Sequence, residues 1–245
     1  MGKTIVITGA GEGLGRAMAR RFAKDGDTTI LLGRTFSKVE ALAEELGAPH
    51  MAVECDVSSA DSVRAAFAKI AETHPKIDVL INNAAIYEPF TVAEATDRQI
   101  DTIIATNLNG PIYTCRSAIP MMDKGALIIN VSSESIAEPF VMLSLYEASK
   151  AGLEKLTHTL EKELEPQGIR VTTVRAGPMY EEGKARPNWD PDAAMRFAQG
   201  CAANGLNMME RPVSMVGSVT DVFRAVIDLP PDVKVMLVTV GARHP

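Results

Sequence analysis

Tyr146 and Lys150 are four residues apart, the spacing that puts two side chains on one face of a helix. A phenol beside an ammonium is an acid–base device. The positive charge favours phenolate and lowers the tyrosine pKa toward use as a general acid or base. Lysine is abundant, and the pair alone also describes a surface tyrosine beside a solvated lysine. Its position adds weight: it opens the helix after the run ending Val131-Ser132-Ser133, whose hydroxyls leave the sheet at its edge.

Two further clusters belong at that same edge. Thr8-Gly9-Ala10-Gly11-Glu12-Gly13-Leu14-Gly15 carries the chain from a strand into a helix. Residues without Cβ let the backbone approach a phosphate, and the helix N-terminus offers free N–H groups and positive dipole to a pyrophosphate. Gly9, Glu12, Gly13 and Leu14 are the candidate cofactor-binding positions there, although the spacing is not the common G-x-G-x-x-G. About 20 residues on, the second strand ends Leu31-Leu32-Gly33-Arg34, where the common dinucleotide fold carries an acidic residue for the ribose 2′-hydroxyl. Here Gly33 clears space and Arg34 offers a fork to a 2′-phosphate, which favours NADP over NAD. Glu12 is a nearby negative charge that NADP would not welcome, and a solvated surface arginine is the ordinary account of Arg34. Asn82-Asn83-Ala84-Ala85 closes the fourth strand, where ligands of open α/β sheets bind, but asparagine also simply suits a turn.

The elements that must position these groups are legible as alternation. Short apolar runs at Thr4–Thr8, Thr28–Leu32, Met51–Val53, Val79–Ile81, Leu127–Val131, Val171–Val174 and Val235–Val240 read as strands buried on both faces. Between them the period becomes 3.6, as in Leu14, Met18 and Phe22 or Leu153, Leu156, Leu160 and Leu164. The pattern predicts an α/β fold: a Rossmann-type, doubly wound, seven-stranded parallel sheet with helices on both faces, in one domain over 1–245. One stretch breaks the rhythm. Residues 177–215 hold four prolines and one short helix near Asp192–Ala203, and a connection of that length predicts a substrate lid or binding loop.

Composition bounds the alternatives. Net charge is −6 with no run of Lys or Arg, so neither nucleic acid nor an anionic membrane is expected as a partner. The three cysteines form no C-x-x-C and show no metal-ligand spacing with histidine, which predicts buried thiols in a reducing compartment and no metal site. The N-terminus enters a strand at once, and no apolar run approaches the roughly 18 residues of a membrane span, so a cytoplasmic location is expected.

With these motifs in this order, the sequence resembles the short-chain dehydrogenase/reductase family in its single-domain branch, over nearly the whole chain. The resemblance implies a catalytic tetrad at Asn107, Ser133, Tyr146 and Lys150; Ser133 is preferred to Ser132 because it lies thirteen residues before Tyr146, the family's usual interval. It implies that Asp56 and Val57 contact adenine, that Asn83 and Ala84 touch ribose by backbone, and that Gly177 to Met179 border the nicotinamide. Tyr146 would donate its proton to a carbonyl oxygen, with Ser133 on the same oxygen. Lys150 would lower the tyrosine pKa and hold the nicotinamide ribose, and Asn107 would anchor a water leading from Lys150 to solvent. The implied reaction is hydride transfer between the nicotinamide and a small-molecule carbonyl or secondary alcohol. The implied assembly is a homotetramer or dimer packed through segments near Gly110–Met122 and Tyr146–Glu165, where Ile112, Ile119, Met121 and Met122 serve either interface or core.

Four positions depart from the family's pattern: Ala85 and Ile136 where glycine is frequent, Ala176 where proline precedes Gly177, and Glu181 where a threonine often binds the carboxamide. Phe140, Val141, Met142, Met179, Tyr180, Trp189, Met208 and Met209 are the expected pocket lining, with Glu138, Glu181 and Glu182 either meeting a polar group or solvated. Two other readings compete. A dinucleotide-sensing Rossmann protein without turnover would not need to retain the tetrad, and nucleotide-sugar epimerases or dehydratases are typically longer, with another glycine spacing.

Overall fold

The computed structural model describes residues 2–183, 189–208 and 210–243; Met209 and positions 184–188 of the expected lid lie outside the described residues. In chain order the strands are β1 (Thr4–Thr8), β2 (Thr28–Gly33), β3 (Met51–Glu54), β4 (Val79–Asn82), β5 (Leu127–Ser133), β6 (Arg170–Ala176), β7 (Met179–Tyr180), β8 (Ser214–Met215) and β9 (Leu237–Val240). The α-helices are α1 (Gly13–Lys24), α2 (Phe36–Leu46), α3 (Ala60–Thr73), α4 (Asp97–Ile104), α5 (Gly110–Ala118), α6 (Ser144–Leu164), α7 (Pro191–Ala203) and α8 (Val216–Asp228). Seven strands form one parallel sheet in the order β3-β2-β1-β4-β5-β6-β9.

Strand pleating explains the two-faced core. Val6, Ile30, Leu32 and Leu80 point to the side covered by α3, α5 and α6, while Ile5, Ile7, Leu31 and Ile81 point to the side covered by α1, α2 and α8. Both faces are dry, so the strands read as unbroken apolar runs. The order of strands reverses between β1 and β4, and that switch point opens a crevice beyond their C-terminal ends.

Two features depart from the sequence expectation, and a third decides between open alternatives. The last strand pairs only over Leu237–Val240 as a sheet edge, and Leu237 is exposed. A second, two-stranded sheet pairs Met179 with Ser214 and Tyr180 with Met215, clasping the start and end of the 177–215 segment; strands of two residues carry no readable period. Met122 is buried and Ile119 and Met121 pack on the core, so of the four interface candidates only Ile112 is an exposed large hydrophobe. All three cysteines are buried and unpaired. Among the described residues, no helix is long and apolar enough to cross a membrane.

Candidate active site

The glycine turn is shaped by close approach. Gly9 has φ +64°, and a Cβ on Gly15 would lie 2.2 Å from the Gly9 carbonyl oxygen and 2.8 Å from Asn83 Nδ2. Asn83 braces this turn: its Nδ2 donates to the carbonyls of Thr8 (3.0 Å) and Gly9 (3.3 Å). The N–H groups of Asn83 and Ala84 both donate to Thr8 Oγ1 at 3.0 Å, so a ribose contact through their backbone would have to use their carbonyls. Asn82, one residue earlier, does not reach the cleft. It is buried in a polar relay in which Thr114 Oγ1 donates to Asn82, Asn82 to Asn130, Asn130 to Thr157, and Thr157 to the Leu153 carbonyl. That relay ties β4 and β5 to α5 and α6, and so fixes the helix carrying Tyr146.

A cleft of about 680 Å³ runs along the switch point, and Gly9, Glu12, Gly13, Leu14, Arg34, Asp56, Val57, Asn83, Ala84, Ser133, Tyr146, Lys150, Gly177 and Met179 all line it. At its far end Arg34 is exposed, with no ion pair among the described residues. Gly33 lines the cleft beside Arg34, and a Cβ there would also meet Val39 Cγ1 at 2.7 Å. The negative charge of Glu12 is met by Lys38 Nζ at 2.7 Å. Asp56 lines the cleft with its carboxylate fixed, Oδ1 accepting from Ser58 N (3.0 Å) and Ser58 Oγ (2.7 Å).

At the near end Ser132 and Ser133 separate cleanly. Ser132 Oγ donates to Glu154, which also holds Arg175 through two bonds of 2.7 Å, whereas Ser133 Oγ caps the 3₁₀ turn 134–136 by accepting from Ser135 N. Tyr146 is hydrogen-bonded by Ser133, yet burial pushes its hydroxyl up to about 12. Lys150 Nζ lies 5.9 Å from the Tyr146 ring centroid and donates to the Val131 carbonyl at 2.7 Å. Burial lowers this amine to about 8. The tyrosine is therefore raised rather than depressed: desolvation of the phenol is the largest cause, and the group that lowers it is Ser133, not Lys150.

Asn107 sits deeper, behind the cleft lining. It lies in a π-helical turn, Ala105–Asn109, between α4 and α5, fully buried and absent from the cleft lining. Its side-chain amide donates to the Ile86 carbonyl (2.8 Å) and Ser149 Oγ (3.1 Å), and its oxygen accepts from Ile86 N (2.9 Å). Those bonds occupy the side chain, which positions the 83–87 loop against α6.

The lysine yields a pH prediction. Between about 8 and the unfolded value near 10.4, the unfolded chain holds the lysine proton and the folded chain sheds it, so stability rises with pH over that window. Lys150→Met removes the titration. Urea melts of both proteins at about pH 7.5 and about pH 9.5 are expected to show the wild type gaining about 2 kcal/mol relative to the variant. Parallel pH dependence would show that the amine is not desolvated.

The substrate end is more aromatic than its sequence indicated. Tyr87 packs 5.5 Å from Tyr146 and edge-on to Trp189, whose Nε1 donates to the Tyr87 carbonyl; Trp189 in turn meets Phe197 of α7. Phe140, Met179, Trp189 and Met208 line the cleft as expected, joined by Tyr87, Leu143, Phe197 and Arg211, which were not foreseen. Val141 and Tyr180 face solvent, and Met142 is buried beneath with φ +70°. Ile136 is not among the cleft residues, so its bulk leaves the pocket unchanged. The turn lacking proline at Ala176 is held instead by Gly177 N donating to the Val240 carbonyl at 2.8 Å. Glu138 pairs with Arg211, and Glu182 is exposed.

A dinucleotide fits this cleft on its own evidence. The turn has no room for Cβ at Gly15, no side chain caps α1 at its N-cap, and an anion already rests on its first N–H, since Gly13 N donates to Glu181 Oε2.

Comparisons with known proteins agree with this geometry. A sequence profile described as short chain dehydrogenase matches residues 3–189. A 3beta-hydroxysteroid dehydrogenase of Mediterraneibacter gnavus is 36% identical over 217 residues, covering 85% of this chain and 76% of that protein. A blue fluorescent protein from a metagenomic library, solved in complex with NADPH, superposes with a TM-score of 0.82 at 25% identity, covering 98% of this chain and 97% of the other. A 3-ketoacyl-(acyl-carrier-protein) reductase from Brucella melitensis, complexed with NADH, superposes with a TM-score of 0.79 at 25% identity, covering 98% and 96%.

Proposed function

This chain belongs to the short-chain dehydrogenase family, and on that premise we propose that it is an NADP-dependent oxidoreductase acting on a carbonyl or secondary alcohol. The observation carrying this reading is that Ser133, Tyr146 and Lys150 line the same cleft as the glycine turn and Arg34. Gly9, Gly13 and Leu14 would hold the pyrophosphate, Arg34 the 2′-phosphate, and Gly177 and Met179 the nicotinamide side. A bound nicotinamide supplies or accepts the hydride.

The chain's own groups handle the proton. Burial keeps Tyr146 protonated, so its phenol is ready to give a proton to a carbonyl oxygen. The Ser133 hydroxyl donates to the same oxygen as negative charge develops there. Lys150 uses one of its donors on Val131, leaving others for a ribose hydroxyl and for stabilising the phenolate that remains. The wall of Tyr87, Phe140, Trp189 and Phe197 favours a bulky apolar substrate, a feature in keeping with the steroid dehydrogenase among the relatives.

Titration of the purified protein with NADPH and NADH, followed by nicotinamide fluorescence, tests the reading; failure of both to bind would end it. In the same titration, Arg34→Ala is expected to weaken NADPH by about ten- to a hundredfold and leave NADH nearly unchanged, since a charge-assisted bond to phosphate is lost. Equal weakening of both cofactors would remove the 2′-phosphate role.

A further inference from the structure

Glu181 lies just beyond β7, yet its carboxylate ends on α1, 168 positions earlier in the chain. Its side chain is only 10% exposed. Oε2 accepts from Gly13 N at 2.8 Å, while Oε1 accepts from Arg16 Nε at 3.0 Å and from Arg16 Nη2 at 2.6 Å. Helix α1 has no side-chain cap and no acidic residue of its own in the first turn. A distant carboxylate fills the place that a helix N-terminus reserves for an anion.

From this contact we infer that Glu181 is a resident competitor for the dinucleotide pyrophosphate, and that Arg16 is a pyrophosphate ligand once the carboxylate leaves. The inference rests on the glycine turn being the pyrophosphate site. A pyrophosphate cannot share Gly13 N–H and the Arg16 fork with a carboxylate, because like charges at hydrogen-bond separation repel and each donor is already engaged. Binding is therefore an exchange of one anion for another on the same two donors. The affinity of the cofactor is set by the difference between the two contacts, not by the phosphate contact alone. Departure of the carboxylate asks little of the sheet: β7 pairs with β8 over two residues, and Gly183 follows at φ +74° with open space around it.

The test is equilibrium binding to three probes: NADPH, 2′-phospho-ADP-ribose, and adenosine 2′-monophosphate, which lacks the pyrophosphate. Glu181→Ala is expected to tighten the first two by about tenfold and leave the third unchanged. Glu181→Gln, which keeps the shape and loses the charge, is expected to fall between. Adding Arg16→Ala to Glu181→Ala should remove part of the gain for the two pyrophosphate ligands only. Unchanged or weaker NADPH binding in both Glu181 variants would overturn the inference, as would an equal gain for adenosine 2′-monophosphate. If folded wild type and variants all bind none of the three, the pyrophosphate site itself is wrong, and the inference falls with it.

Discussion

Tyr146→Phe is expected to lower turnover by about 10²–10⁴-fold while NADPH affinity stays within a factor of about two. The substitution removes one oxygen and leaves the ring in place, 5.5 Å from Tyr87 and beneath Lys150. Ser133 loses its bond to the phenol, but the glycine turn is untouched, so folding and dinucleotide binding persist while the proton donor is lost. The hydroxyl that disappears is one that burial already disfavours ionising, so melting temperature is expected to hold. Steady-state rates with any carbonyl substrate found by screening, beside a fluorescence titration of NADPH, separate the two effects. Turnover within tenfold of wild type would exclude Tyr146 as the acid.

Gly15→Ala is expected to have the largest effect on the fold. Its new Cβ would lie 2.2 Å from the Gly9 carbonyl oxygen, a backbone atom in a turn fixed by Asn83, so neither partner can yield by turning a side chain. The turn must open. Overpacking of this kind costs about 3 kcal/mol, equivalent to a melting point lower by roughly 10 °C in a chain of this size, and the opened turn should fail to hold NADPH. Gly217→Ala is the matched control. It lies in α8 with nothing within 4 Å of its added Cβ, so the same change is expected to be neutral or stabilising by up to about 1 kcal/mol. An unchanged melt for Gly15→Ala would show that the helix N-terminus is not packed against the turn.

Local pattern made much of this protein legible in its sequence. Apolar runs at β1, β2, β4 and β5 announced strands with both faces dry, and the change to a 3.6 period announced the helices between them, because pleat and helix pitch imprint directly on neighbouring residues. The single sheet followed from the handedness of the crossovers. Tyr146 and Lys150 were legible for the same reason: two residues four apart on one helix share a face. Arg34 was placed at a strand's C-terminal end by counting from the glycine turn, and it does line the cleft.

What the tertiary structure decided is every relation between residues far apart in the chain. Asn107 is named a site residue by the family resemblance alone; its side-chain partners, Ile86 and Ser149, are fixed only when a π-turn sets α4 and α5 against α6. That Gly33 is also needed by the packing of Val39 follows only from how α2 lies on β2. The lysine nearby predicts a lowered tyrosine pKa, yet it rises because burial, a property of the whole fold, desolvates the phenol. Tyr87, Phe197 and Arg211 reach the pocket, and Glu181 reaches Gly13, because parallel strands deliver all their C-terminal loops to one edge. Sequence spacing encodes the period of each element; which loops then face each other is settled by packing the sheet.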